Sequence, residues 1–129
     1  MSQEQMQQMQ QLQQQTQQIQ DYLQQVDQTR QQLEKSKQAV RDVEDIEEGS
    51  EILAPVGTGA YVVAEVKETD KVVSNIGGDT FEKKSNQEAA KVLEKQLTLL
   101  KDTQKELEDQ MSQIQKQMQQ IQQQMQQEQ

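Results

Sequence analysis

Residues 93–125 read LEKQLTLLKDTQKELEDQMSQIQKQMQQIQQQM, and this stretch decides the fold of the chain. Nine of its ten apolar residues recur at alternating steps of four and three positions. They are Leu93, Leu97, Leu100, Leu107, Met111, Ile114, Met118, Ile121 and Met125, with one polar exception at Gln104. An apolar period of about 3.5 residues keeps one narrow stripe of a helix facing a partner helix. The stretch therefore predicts a long coiled-coil helix.

The beginning of the chain has the same period. Its apolar stripe is formed by Met9, Leu12, Ile19, Leu23, Val26, Leu33 and Val40, with polar residues at Thr16, Arg30 and Lys37. We call these two stripes the seam. Segments 1–49 and 85–129 are thus predicted to pair as an antiparallel two-helix coiled coil. One register sets Met9 near Ile121 and Lys37 opposite Leu93, but a shift of one heptad fits almost as well, so the pattern leaves the register open.

Helix ends are marked by local signals. Ser2 and Gln5 have the spacing of a capping box, in which the two side chains cap exposed backbone N–H groups, and Ser85 and Glu88 have it again. These signals predict helices from about residue 5 and from residue 85. Gly49 follows the first helical segment and can adopt the left-handed conformation that ends a helix, so the first helix is predicted to run to about Glu48.

The centre, residues 50–84, has a different residue pattern from the two helical segments. Short apolar runs alternate with turn residues, and the five glycines and the single proline of the chain lie in or just before this centre. Four strands are predicted, at about 51–54, 61–67, 71–76 and 80–84, arranged as two hairpins. Such a small sheet has too little core to stand alone, so it is expected to pair with other chains. The predicted assembly residues are Ile52, Leu53, Val56, Tyr61, Val62, Val63, Val66, Val72, Val73, Ile76 and Phe81.

Composition excludes several classes of function. The chain of 129 residues has no histidine and no cysteine, so it lacks the commonest general base, thiolate nucleophile and zinc ligands. We predict no enzyme activity, no metal site and no cofactor. The net charge of −9 argues against binding to nucleic-acid phosphates or to an anionic membrane. No apolar run reaches the length of a membrane span, and a cytoplasmic location is expected.

The six methionines lie near the two termini of the chain, in segments that are rich in glutamine and nearly free of charge. Methionine is flexible and polarisable, so it adapts to varied apolar partners. We predict that frayed helix ends present an apolar set to unfolded chains: Met6, Met9, Leu12, Ile114, Met118, Ile121 and Met125. The alternative is that these residues only pack the seam. The glutamine tracts fit a disordered segment or a helix, and the uninterrupted heptads favour the helix.

Particular runs of the centre resemble one protein family. They are Glu51-Ile52-Leu53-Ala54-Pro55-Val56-Gly57, Ala60-Tyr61-Val62-Val63-Ala64-Glu65-Val66, Asp70-Lys71-Val72-Val73-Ser74-Asn75-Ile76-Gly77 and Phe81-Glu82-Lys83-Lys84. Together with Glu88-Ala89-Ala90 they resemble prefoldin, and more closely its alpha class, whose subunits carry two hairpins between the helices. The arms match that family in pattern only, because their glutamine tracts depart from it.

The resemblance implies a concrete function. Prefoldin alpha subunits assemble with beta subunits into a heterohexamer of two alpha and four beta chains, whose hairpins form a β-barrel body. The family holds non-native polypeptides at the coiled-coil tips without ATP and passes them to a group II chaperonin. The implied partners are therefore prefoldin beta subunits, non-native polypeptides and that chaperonin. The alternative is a structural or filament-forming coiled-coil protein that does not transfer clients.

Overall fold

The computed structural model describes residues 2–127; Met1, Glu128 and Gln129, at the ends of the predicted helical segments, lie outside them. The elements are α1 (Gln3–Val43), β1 (Glu51–Gly57), β2 (Ala60–Glu65), β3 (Lys71–Gly77), β4 (Thr80–Ser85) and α2 (Asn86–Gln127). The chain divides into two compact units. The helical unit contains the described residues up to Gln31 and from Thr98, and the hairpin unit is Gln32–Leu97. The predicted fold class, mainly α with a small β centre, is confirmed.

The helical unit is held together by the seam. Within 9–31 and 98–125, every seam side chain is buried or half-buried and every other side chain is exposed. Leu12, Ile19 and Ile114 form its buried core, and further seam residues of both helices pack around them. The polar seam residue Thr16 does not leave an unpaired hydroxyl, because its Oγ1 donates to the Leu12 carbonyl at 2.8 Å. The apolar period alone thus accounts for the packing of this unit.

In the hairpin unit, Lys37 and Arg41 of α1 both form ion pairs with Glu94 of α2. Lys37 Nζ lies 2.7 Å from Glu94 Oε1, and Arg41 Nη2 lies 3.6 Å from the same oxygen. The contact agrees with the register that sets Lys37 opposite Leu93. A one-heptad shift would move the two groups about 10 Å apart along the helix axes, at about 1.5 Å per residue. The contact therefore identifies which of the two registers left open by the apolar pattern the structure adopts.

The Lys37–Glu94 pair makes stability depend on pH. The hydrogen bond from Lys37, and then its charge, hold the pKa of Glu94 below its ordinary value of 4.5. A carboxyl whose pKa is lowered by folding stabilises the folded state above its unfolded-state pKa, and this contribution is lost as pH falls through the folded-state pKa. We expect Glu94→Gln to lower the urea midpoint at about pH 7, and the difference from wild type to shrink as the pH falls through the folded-state pKa of Glu94, because the wild-type carboxyl then becomes neutral too. Equal differences between variant and wild type above and below that pKa would contradict this assignment.

The first helix ends earlier than its sequence predicts. α1 stops at Val43 rather than near Glu48, and the chain continues in tight turns in which the amides of Glu44, Asp45 and Ile46 each donate to the carbonyl three residues back. The physical reason is the acidic run that begins at Asp42, because negative charge at a helix C-terminus opposes the helix dipole. Gly49 has the expected positive φ of 87°. It lies in the connection beyond these turns, however, and its N–H donates to the Val66 carbonyl at 2.7 Å.

The predicted capping box at Ser2 forms in full, whereas at Ser85 only one of its two hydrogen bonds is present among the described residues. Ser2 Oγ accepts from the Gln5 amide at 3.2 Å, and Gln5 Oε1 accepts from the Ser2 amide at 3.4 Å. Ser85 Oγ accepts from the Glu88 amide at 3.1 Å. The next residue, Asn86, is buried and its Nδ2 donates to the Thr69 carbonyl at 2.7 Å. Asn86 thus anchors the start of α2 to the connection between the two hairpins.

The four strands form two separate antiparallel hairpins, β1–β2 and β3–β4. The hairpins are local repeats of one another, with Leu53 and Val73 at equivalent places. Each carries a bulge that leaves one apolar residue unpaired, Val56 in the first and Ile76 in the second. The bulge is why β1 continues to Gly57 instead of ending at the predicted residue 54: one extra residue is absorbed, and pairing resumes beyond Pro55.

The backbone conformation of the turn in the second hairpin explains which residues occupy it. Gly78 and Asp79 link β3 to β4 with φ values of 58° and 61°, the combination that a two-residue type I′ turn requires. Glycine adopts it freely and aspartate tolerates it better than most residues. This turn matches the right-handed twist of the strands and sets Gly77 opposite Thr80, and beyond the bulge at Ile76 the pairing continues with Asn75 opposite Phe81.

Candidate functional surfaces

The first hairpin is apolar on both of its faces. Residues directly opposite in an antiparallel pair lie on the same face. The pairs Leu53–Val63 and Pro55–Tyr61 therefore share one face, and the pairs Ile52–Ala64 and Ala54–Val62 share the other. Leu53 and Val63 are each 66% exposed, so their face has no cover within the described chain, whereas Ala54 and Ala64 on the other face are half-buried. A hairpin of this composition needs apolar partners on both sides.

The second hairpin has the same strand register and bulge position as the first but a different composition. The positions that hold Val62, Val63 and Ala64 in the first hairpin hold Glu82, Lys83 and Lys84 in the second. Its apolar residues are Val72, Val73, Ile76 and Phe81. Lys83 Nζ lies 3.4 Å from Glu68 Oε1, an ion pair between exposed side chains. The second hairpin is therefore suited to lie at the margin of an assembly, where its charges keep their water.

The predicted assembly residues form an exposed apolar surface, which we call the assembly surface. Nine of them are exposed: Ile52, Leu53, Val56, Tyr61, Val62, Val63, Val73, Ile76 and Phe81. The other two, Val66 and Val72, are half-buried. Soluble monomers rarely leave so many large apolar side chains in one short segment without a partner. The arrangement is suited to association with other chains through side-chain packing and strand pairing.

The strand edges of the two hairpins differ in their protection against pairing. In β4, Lys83 and Lys84 charge the edge, a common device against unwanted strand addition. In β1, Pro55 lacks a backbone N–H. β2 carries neither device between Ala60 and Ala64, and its outer edge has no strand beside it among residues 2–127. Its edge is thus less protected than those of β1 and β4 against pairing with a strand of another chain.

The predicted polypeptide-binding residues at the helix ends fall into three groups by burial. Met6 is 46% exposed. Met9, Met118, Ile121 and Met125 are half-buried at the seam, and Leu12 and Ile114 are buried in the core of the helical unit. Leu12 and Ile114 can therefore meet another chain only if the two helices separate. The half-buried group offers part of its surface without any opening.

Three exposed apolar residues of the helices fall outside the predicted sets. Tyr22 and Leu99 lie in the helical unit and Val92 lies in the hairpin unit. Their signal in the sequence is simple: each is a large apolar residue that lies outside the 3.5-residue seam. Leu99 is 65% exposed and lies far from the helix ends. Leu99 can therefore serve as a control position, because it is an exposed apolar residue that does not belong to the predicted polypeptide-binding set.

The described residues offer little for chemistry. Across residues 2–127 there is no group of three or more side chains placed to hold a metal ion. No helix in that range is long and apolar enough to cross a membrane. The cavities are open grooves along the helices and hairpins, such as one of about 450 Å³ between α1 and α2 that is lined mainly by glutamine. The arrangement is suited to contacts between polypeptides.

These features define a class: a coiled-coil subunit whose two central hairpins are built to associate. The family model for prefoldin subunits matches residues 5–129. The chain therefore belongs to the prefoldin subunit family. It is similar to a protein of Halorubrum lacusprofundi named prefoldin subunit alpha, with 35% identity over 63 residues, which cover 49% of this chain and 41% of the relative. A prefoldin subunit alpha of Thermofilum pendens is 41% identical over 51 residues, 40% of each chain.

The resemblance to the alpha class is confirmed by these names and by a third relative of that name in Methanothrix thermoacetophila, 32% identical over 60 residues that cover 46% of this chain and 39% of the relative. The matched segments span about two fifths of the length of the relatives. Among solved structures, filamentous prefoldin of Methanocaldococcus jannaschii has the same fold, with a TM-score of 0.82 over 89% of this chain and 95% of its own, at 23% identity.

Proposed function

We propose that this chain is the alpha-class subunit of an ATP-independent holdase chaperone in the cytoplasm. Two such chains join four prefoldin beta subunits through their hairpins, and the helix ends capture non-native polypeptides for delivery to a group II chaperonin. The observation that carries the proposal is the assembly surface: nine large apolar side chains lie exposed on two hairpins of a chain from the prefoldin family.

The location of methionine supports the capture step. Met6, Met118 and Met125 lie near the ends of α1 and α2, and each is exposed or half-buried. Helix ends open at low free-energy cost, so a client can gain access to the seam there without unfolding the subunit. Flexible methionine side chains then repack around apolar groups of varied shape.

The test is the native mass, measured by light scattering, of this chain alone and after refolding with a prefoldin beta subunit from the same source. We expect a discrete six-chain species only in the mixture. That species should suppress the aggregation of a chemically unfolded model protein without nucleotide, and it should transfer the protein to a group II chaperonin. A six-chain species that leaves aggregation unchanged would contradict the holdase role.

A second candidate is a filament-forming subunit, because the structural neighbour from Methanocaldococcus jannaschii is a filamentous prefoldin. An unprotected β2 edge on a two-sided apolar hairpin is compatible with open-ended association of copies of this chain. Long polymers of this chain alone, unaffected by the beta subunit, would favour this candidate over the heterohexamer.

A further inference from the structure

Glutamine side chains line a continuous groove along one side of the helical unit. On α1, Gln8, Gln11, Gln15 and Gln18 recur at steps of three and four, so they form a ladder on one face of the helix. A facing ladder on α2 runs at the same steps from Gln124 back to Gln110. Two cavities of about 450 Å³ each lie between the ladders. They share Gln15 and Gln117, so they adjoin along the same side of the helix pair, and we call the two together the glutamine groove.

The glutamine groove has an apolar floor and no charged residue in its lining. Its floor is formed by the seam residues Leu12, Ile19, Ile114 and Ile121, together with Leu107. Tyr22 lies at one end. In an ordinary coiled coil the positions flanking the seam hold charged residues that pair between the helices. Here they hold neutral amides, although the whole chain carries a net charge of −9.

The amides of the glutamine groove are available for a ligand. Elsewhere in the helical unit, glutamines pair with acidic residues of their own helix: Gln17 Nε2 donates to Asp21 at 3.1 Å, and Gln104 Nε2 donates to Glu108 at 3.2 Å. Across residues 2–127, no side-chain hydrogen bond involves a glutamine of the groove, and all of these glutamines are exposed. A glutamine amide has two N–H donors and an acceptor oxygen, which are the complements of a peptide group.

From this geometry we infer that the glutamine groove binds the main chain of an extended non-native polypeptide, whose peptide groups exchange hydrogen bonds with the glutamine amides while its apolar side chains contact the floor. The inference rests on the proposed function and adds the chemical group that is recognised. Between Gln8 and Tyr22 the groove is about 21 Å long, at about 1.5 Å per residue of helix. An extended segment of about six residues, at about 3.3 Å each, fills that length.

Main-chain recognition explains why the lining is neutral. Every non-native polypeptide presents the same peptide groups, whereas side-chain charge differs from client to client. A charged lining would reject clients of like charge, but amides accept acidic and basic segments alike. We therefore expect affinity for the glutamine groove to depend weakly on the net charge of the client.

The test uses the assembled full-length protein and two fluorescent peptides of about eight residues. One is neutral and apolar, and the other has the same sequence with alternate peptide nitrogens methylated, which removes N–H donors. The groove variant replaces Gln11, Gln15, Gln117 and Gln120 with alanine. The control variant also introduces four alanines, but at exposed residues of the same helices outside the groove: Gln7, Gln14, Gln119 and Gln123. Alanine favours the helix, so both variants should fold.

We expect methylation to weaken binding to wild type and to the control variant at least fivefold, and to change binding to the groove variant by less than twofold. Comparing the effect of methylation on the groove variant with its effect on wild type separates the contribution of hydrogen bonds from that of apolar contacts. Equal sensitivity of all three proteins to methylation would overturn the inference. A second result would also overturn the inference: the groove variant loses self-association of the protein but keeps its peptide affinity. The glutamine ladders would then contact a second copy of the chain instead of a client.

The holdase proposal is judged separately. If the wild-type assembly binds the unmethylated peptide and suppresses aggregation, and methylation has no effect, then the proposed function stands and the glutamine inference fails. If the wild-type assembly neither binds the peptide nor suppresses aggregation, the proposed function itself fails.

Discussion

The double substitution Val62→Glu/Val63→Lys should abolish assembly and leave the helices intact. It gives the first hairpin the residues that the second hairpin carries at the equivalent places, Glu82 and Lys83. The backbone geometry accepts these residues, because the second hairpin has the same register and the same bulge. Val62 and Val63 lie on opposite faces, so the change places charge on both. A buried unpaired charge costs about 3 to 5 kcal/mol, which raises the concentration for assembly by at least about a hundredfold.

The measurement is native mass by light scattering, with circular dichroism to verify helix content. The control instead copies another pair of the second hairpin, Glu51→Lys/Glu65→Ser, which leaves the apolar residues unchanged because both glutamates are exposed at the end of the hairpin away from the turn. That control should assemble. If the double variant still forms the wild-type assembly at the same concentration, the first hairpin is not a buried part of the interface.

Replacing Met6, Met118 and Met125 with serine should remove most of the aggregation suppression and preserve assembly. Met6 is 46% exposed, and the other two are half-buried at the seam. The core residues Leu12, Ile19 and Ile114 stay in place, so the helices remain paired. Each exposed methionine surface contributes about 1 kcal/mol when a client covers it, and the triple variant should bind an unfolded client about a hundredfold more weakly.

The client affinity is measured by fluorescence anisotropy with a labelled, chemically unfolded protein. Leu99→Ser is the matched control, because it removes an exposed apolar side chain of the helical unit that lies away from the helix ends. It should leave the affinity unchanged. Equal losses in the control and in the triple variant would show that any exposed apolar side chain binds the client, which contradicts a site at the helix ends.

We expect a different result for the two buried residues of the predicted polypeptide-binding set. Leu12 and Ile114 are 9% and 8% exposed, so truncating them removes core packing as well as any client contact. Serine at these two places would weaken the coiled coil itself, and the loss of client binding would then have two causes. The three methionines separate those causes because they contribute less to the core.

The sequence alone determined the helices, the seam and the number of hairpins. The 3.5-residue period identified every half-buried position from Met9 to Val40 and from Leu93 to Met125, because burial in a two-helix pair follows directly from helix geometry. Ser2 and Ser85 marked the helix starts for an equally local reason. Glycine and aspartate located the turns because few other residues accept positive φ.

Only the tertiary structure decided which residues face one another. The register became evident only from contacts such as Lys37–Glu94, since similar heptads allow several alignments of nearly equal packing. The early end of α1 and the bulges at Val56 and Ile76 depended on charge and pairing across the hairpins. The glutamine groove required both helices at once: each ladder is a plain tract of one residue type in the sequence, and it becomes a binding surface only when the antiparallel helix aligns a second ladder against it.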